Sequence, residues 1–143
     1  GIVAGAKDSS GDWSNTKAMI DNFAAQGFDV YPGSESFLLQ AMRAGGAGCI
    51  SATANVNPGP IAKLAATWQG DDADAQQEGL NVTRGICQTY VRIPALKAAN
   101  AHYGRDPEWN RLRPPLVELT ADEQKDLVAK LDASGFTMPG LAA

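Results

Sequence analysis

The sequence predicts an α/β fold on three observations: a strand-then-helix rhythm that repeats three times over residues 1–70, one apolar stripe on each helix, and a change to purely helical patterning after about residue 71. Strands are expected near 2–7, 28–31 and 47–53, and helices near 14–26, 35–44 and 59–69. Strands that alternate with helices indicate a parallel sheet with helices on its outside. In the first helix Met19, Ile20 and Phe23, and in the second Phe37, Leu38, Ala41 and Met42, line up on one face each, as core-facing stripes do. Ser14 and Ser34 stand where N-caps are wanted, and Gly27 and Gly45 where left-handed C-caps are wanted.

The first strand, Gly1-Ile2-Val3-Ala4-Gly5-Ala6-Lys7, ends on an amine and runs at once into the turn Asp8-Ser9-Ser10-Gly11-Asp12. A period of 2 sets Val3, Gly5 and Lys7 on one face, so Lys7 points where Val3 is expected to be buried. An inward amine at the mouth of a parallel sheet can serve as a nucleophile towards carbonyl carbon. The plain alternative is a lysine that ends an edge strand and reaches water.

Residues 71–143 form the second part of the expected organisation, a helical extension. Residues 72–93 carry Leu80, Ile86, Cys87, Tyr90 and Val91, and Pro94 breaks or kinks whatever precedes Ala95. Arg113-Pro114-Pro115-Leu116 reads as an extended crossing segment. Thr120-Ala121-Asp122-Glu123 is a capping-box pattern that opens a last helix with Leu127, Val128 and Leu131 on one face. The tail from Thr137 to Ala143 is expected to be frayed or lightly docked.

At 143 residues, 44% hydrophobic and 20% charged, the chain has the composition of one globular domain with a real core. Three parallel strands nevertheless leave two open sheet edges. The chain also opens inside a strand without a Met. Another segment is therefore expected to complete the sheet. The net charge of −4 and arginines scattered from Arg43 to Arg113 argue against nucleic acid as a partner. No apolar run approaches the ~18 residues of a membrane helix. Cys49 and Cys87 read as buried thiols, which fit a reducing cytoplasm.

Several motif searches end in ordinary explanations. His102 is the only histidine, so it reads as a surface or helix-end residue, and zinc sites that need several His or Cys ligands are excluded. Asp71, Asp72 and Asp74 read as the charged start of a helix, because the glycine and later acidic residue of a calcium loop are missing. Asn81-Val82-Thr83 matches a glycosylation sequon by chance within a helix. Gly45, Gly46 and Gly48 precede a strand where a phosphate-binding fingerprint would follow one.

Four ordered segments carry a resemblance: Gly5-Ala6-Lys7-Asp8-Ser9-Ser10-Gly11-Asp12, Tyr31-Pro32-Gly33-Ser34-Glu35, Ala44-Gly45-Gly46-Ala47-Gly48-Cys49-Ile50-Ser51-Ala52-Thr53-Ala54-Asn55, and Arg113-Pro114-Pro115-Leu116. Together they resemble the second half of the dihydrodipicolinate synthase/N-acetylneuraminate lyase family of class I aldolases. The resemblance implies strands 6, 7 and 8 of a (β/α)8 TIM barrel followed by a C-terminal helical extension. Lys7 then matches the lysine that forms an imine with pyruvate or another 2-oxo acid, at the face where barrel enzymes keep their sites. Ile50 matches the position whose backbone carbonyl faces that lysine. Gly33 and Glu35 match a substrate-contacting loop, and Ala52 a position where some members use serine. On its own, Glu35 reads equally well as a first-turn helix carboxylate.

The family's proton-relaying tyrosine and its carboxylate-holding hydroxyl pair would precede Gly1, and Tyr31, Tyr90 and Tyr103 match neither. The resemblance therefore implies an enzyme that needs an N-terminal half-barrel, in the same or another chain, with no cofactor beyond the lysine imine, no metal, and a homodimeric or homotetrameric assembly. Lys7-Asp8-Ser9-Ser10-Gly11-Asp12 is more similar to the lyases that cleave sugar-derived 2-oxo acids than to the lysine-pathway synthases. Dihydrodipicolinate synthase is the alternative within the same chemistry. A catalytically silent barrel homologue with a regulatory or assembly role is the alternative outside it.

Overall fold

A computed structural model of the protein describes residues 2–139. Gly1 and residues 140–143, which include the end of the expected tail, lie outside the described residues. The chain divides into two compact units, one of residues up to Ala54 with Pro58–Asn81, the other of Asn55–Asn57 with residues from Val82 on. The boundary falls inside one helix, between Asn81 and Val82.

The first unit holds β1 (Gly5–Asp8), α1 (Trp13–Phe23), β2 (Asp29–Pro32), α2 (Leu38–Ala44) and α3 (Pro58–Thr67), with the first half of α4 (Ala73–Gln88). β1 and β2 pair in parallel, with Gly5 opposite Asp29 and Lys7 opposite Tyr31. A parallel pair requires a crossover, which α1 supplies. The stripe on α1 packs Ile20 against Val30 of β2 and Ala41 of α2. Leu38 and Leu39 of α2 join Ile61, Leu64, Ala73 and Leu80 in a second cluster. The first cluster packs on Val30, which points away from the Tyr31 face, and neither cluster includes Lys7 or Tyr31.

Three expectations for this unit need correction. The α1 cap is Asp12, not Ser14: its carboxylate accepts from the Ser14 amide at 2.8 Å. Val3, expected to be buried, lies outside β1 and is 65% exposed. The third strand, expected near 47–53, is not a ladder strand. Residues 46–51 run alongside β2, where Ala47 N–H donates to Val30 O and Ile50 N–H to Pro32 O, both at 3.0 Å. The donors are three residues apart and the acceptors two, so one extra residue is inserted, as in a β-bulge. Gly48, with φ of 142°, takes up the distortion. Ser34 caps the 3-10 turn Glu35–Phe37 that precedes α2, and Gly27 and Gly45 take the expected left-handed caps.

The second unit contains the rest of α4, α5 (Arg92–Tyr103), the 3-10 turn Pro107–Asn110 and α6 (Ala121–Ala133). The helical run does break ahead of Pro94, between Gln88 and Arg92, and Pro94 itself stands in the first turn of α5, where its missing N–H would have had no helical partner. Arg113–Leu116 is not an extended crossing but a tight turn, closed by Leu116 N–H on Arg113 O at 3.1 Å across a cis Pro114–Pro115 bond. Thr120 and Glu123 form the expected reciprocal capping box. Leu127 and Leu131 are fully buried. The Tyr90 hydroxyl donates to Asp126 at 2.5 Å and Tyr103 to Asp132 at 2.8 Å. Burial first, and then the Asp132 carboxylate, raise the Tyr103 hydroxyl well above its ordinary pKa. No helix among the described residues is long and apolar enough to cross a membrane.

Candidate active site

Lys7 owes its position to a residue without a side chain. At Gly5, two positions earlier, a Cβ would lie 2.4 Å from the Asp29 carbonyl oxygen, so any other residue would pry β1 from β2. With Gly5 in place the strands close. The parallel register then sets Lys7 directly beside Tyr31, and in such a pair directly opposed residues share a face. Ala47 N–H bonding to Val30 O sets residue 47 beside Tyr31 as well, and after the bulge Ile50 returns to that same face. The result is a shallow cavity of about 350 Å3 lined by Gly5, Lys7, Asp29, Tyr31 and Ile50 with Ala4 and Ala6. The Tyr31 ring lies along the backbone of Gly48, where a Cβ would be 3.6 Å from its edge.

The next residue, Asp8, points the other way and is buried. Its carboxylate accepts from the Ser10 amide at 2.9 Å, the Ser10 hydroxyl at 3.0 Å and the Thr16 hydroxyl at 2.5 Å. Burial alone would raise its pKa; the hydrogen bonds from Thr16, from both groups of Ser10 and from Asn15 outweigh it and hold Asp8 below the ordinary aspartate range. The strand end that carries Lys7 is thereby tied to the first turn of α1. Because the folded state depresses this pKa, the stabilisation is present above the unfolded value of ~3.9 and is lost as pH falls through the folded value. Thr16→Val, which keeps the shape and removes one donor, is expected to cost about 1–2 kcal/mol at pH 7. Urea midpoints that differ as much at pH 2 as at pH 7 would refute this role for the carboxylate.

The remaining predicted site residues occupy other places. Gly33 donates its N–H to Asp8 O at 2.6 Å, and a Cβ there would lie 2.9 Å from that oxygen and from Ser9 Oγ. Glu35 is fully buried at the start of its 3-10 turn and accepts a hydrogen bond from the Ser51 hydroxyl. Its carbonyl accepts from Gln77 Nε2 at 3.0 Å, while Gln77 Oε1 accepts from the Leu39 amide at 2.9 Å. Ala52 opens the 3-10 turn Ala52–Asn55 and is half-buried. Of the predicted set, then, Lys7 and Ile50 line one cavity, and Gly33, Glu35 and Ala52 are not among its lining residues. Sequence reasoning missed Tyr31, whose signal was the strand register, and Asp8, whose signal was the Asp-Ser-Ser turn with a threonine one helical turn into α1.

The chain's likenesses to known proteins point one way. The Dihydrodipicolinate synthetase family matches residues 2–134. An uncharacterized DapA-like lyase of Chloroflexus aurantiacus is 36% identical over 124 residues, which cover 83% of this chain and 39% of that protein. A 4-hydroxy-tetrahydrodipicolinate synthase of Methanococcoides burtonii is 31% identical over 93% of this chain and 46% of its own length. Dihydrodipicolinate synthase from Agrobacterium tumefaciens superposes with a TM-score of 0.80 at 27% identity, over 93% of this chain and 44% of that structure. The chain thus spans less than half the length of these relatives. Over nearly all of its own length, it belongs to the dihydrodipicolinate synthetase family.

Proposed function

We propose that this chain supplies the imine-forming half of a pyruvate-dependent class I aldolase or lyase acting on 2-oxo acids, with β1, β2 and residues 46–51 as strands 6, 7 and 8 of a (β/α)8 barrel. The observation that carries the reading is Lys7 at the C-terminal end of a parallel strand, facing an open cavity beside Tyr31 and Ile50. Barrel enzymes keep their sites at that end of the strands. The Lys7 amine would add to the keto carbon and the carbonyl oxygen would leave as water; the imine would then accept the electron pair of the bond between its neighbouring carbon and the next one, forming an enamine while the hydroxyl on that next carbon gives up its proton to a base and becomes an aldehyde. Tyr31 would wall the cavity, and the Ile50 carbonyl would face the reacting nitrogen. Gly33, Glu35 and Ala52 would shape the loops that meet the rest of the substrate.

Acid/base partners and a carboxylate clamp would come from an N-terminal half-barrel, so the chain alone would be inactive. A homodimer or homotetramer fits the family, and the two cysteine thiols, Cys49 and Cys87, fit the cytoplasm. The synthases among the relatives favour dihydrodipicolinate synthesis as the second reading. Turnover of candidate 2-oxo acids by the complete protein separates the two: pyruvate release supports the lyase, and condensation of pyruvate with an amino-aldehyde supports the synthase. Because the imine supplies the electron sink, activity is expected to survive EDTA. A loss restored by added zinc would overturn the class I reading.

A further inference from the structure

In the helical unit a cavity of about 510 Å3 opens between the end of α5, the Pro107–Asn110 turn and the first half of α6. This size suits a small organic ligand. His102 from the last turn of α5, Arg105 just beyond it and Lys125 of α6 line the cavity, together with Asn110 and Gln124. None of the lining residues is acidic, in a chain whose net charge is −4. Among the described residues, none of the three basic side chains forms an ion pair. Ala98, Ala101 and Val128 supply an apolar floor.

The backbone adds a separate observation. α5 ends in a Schellman arrangement, Arg105 N–H on His102 O at 3.2 Å and Asp106 N–H on Ala101 O at 3.1 Å. The left-handed residue of that motif is ordinarily glycine, and here it is Arg105, with φ of 53°. Strain of this kind gathers at ligand sites. The dipole at the C-terminus of α5 favours His102 and Arg105 but gives no reason for Lys125, which stands in the second turn of α6. We propose that this cavity binds a small organic oxyanion of charge −2, held by Arg105 and Lys125 with its carbon body on the apolar floor. Phosphate monoesters and dicarboxylates share that chemistry. The proposal is independent of the imine reading.

The test uses the protein with its complete barrel. The imidazole signal of His102, identified by its loss in His102→Gln, is followed by NMR while glycerol phosphate, inorganic phosphate or malonate is added against chloride at matched ionic strength. A saturable shift is expected, tightest for the phosphate monoester if the ligand is a phosphate and for malonate if it is a dicarboxylate. Arg105→Gly suits the left-handed backbone and should fold at least as well as the parent. It and Lys125→Gln are each expected to weaken saturation about tenfold or more. No saturable shift with any of the three anions, or unchanged saturation in both variants, would overturn the proposal.

Discussion

Treated with borohydride in the presence of pyruvate, the complete barrel is expected to retain one reduced pyruvate on the peptide that contains Lys7, and Lys7→Ala to retain none. Lys7→Arg keeps the charge and cannot form the imine, so it should fail equally. Turnover should fall in both variants by roughly 10^4-fold or more, the scale on which loss of a covalent nucleophile acts. The expectation rests on the cavity that Gly5, Tyr31 and Ile50 build around one amine. Label retained by Lys7→Ala at the parent's yield would sink the assignment.

The second large effect concerns folding. Expressed alone, these residues are expected to aggregate, to associate through their sheet edges, or to unfold at low denaturant with dye-binding apolar surface. Among the described residues the outer edge of β1 has no ladder partner, and unpaired backbone donors and acceptors invite another strand. Val3 and Ile50 lie exposed on the open face. Leaving such a face wet forgoes ~25 cal/mol per Å2 of apolar surface, against ~5–15 kcal/mol of stability for a whole domain. The outcome that contradicts this is a sharp two-state transition in a strictly monomeric sample that binds no dye.

Residues with short-range signals were the legible ones. The alternation of Gly5 and Lys7, the stripes on α1 and α2 and the Thr120–Glu123 box each depend on neighbours a few positions away, and the parallel βα order followed from them. What failed depended on contacts distant in sequence. The bulge at Gly48 is set by where β2 offers its carbonyls, and no local pattern separates it from a regular strand. Asp12 displaced Ser14 as the α1 cap because both are good caps two residues apart and only the entry path of the turn decides. Val3 was placed by a period of 2 on a face that is real, but periodicity does not say whether anything covers it. The Glu35–Ser51 bond joins residues 16 apart in sequence, so the burial of that carboxylate could not be foreseen from its helix-start position.

The extra residue near Gly48 acts as a frame-setting device for the face that carries Lys7. Ahead of it the chain presents Ala47 to the Lys7 side; beyond it Ile50 takes that side, and Cys49 packs against the Leu38 and Leu64 cluster instead. Were these same residues laid out as an even ladder, without the bulge, every side chain that follows would be inverted. The cysteine thiol would then stand in the cavity next to the Lys7 amine, Ile50 would turn into the helix layer, and Ser51 would swing away from Glu35. A stretch that carries no regular secondary structure thus decides which side chains reach the cavity.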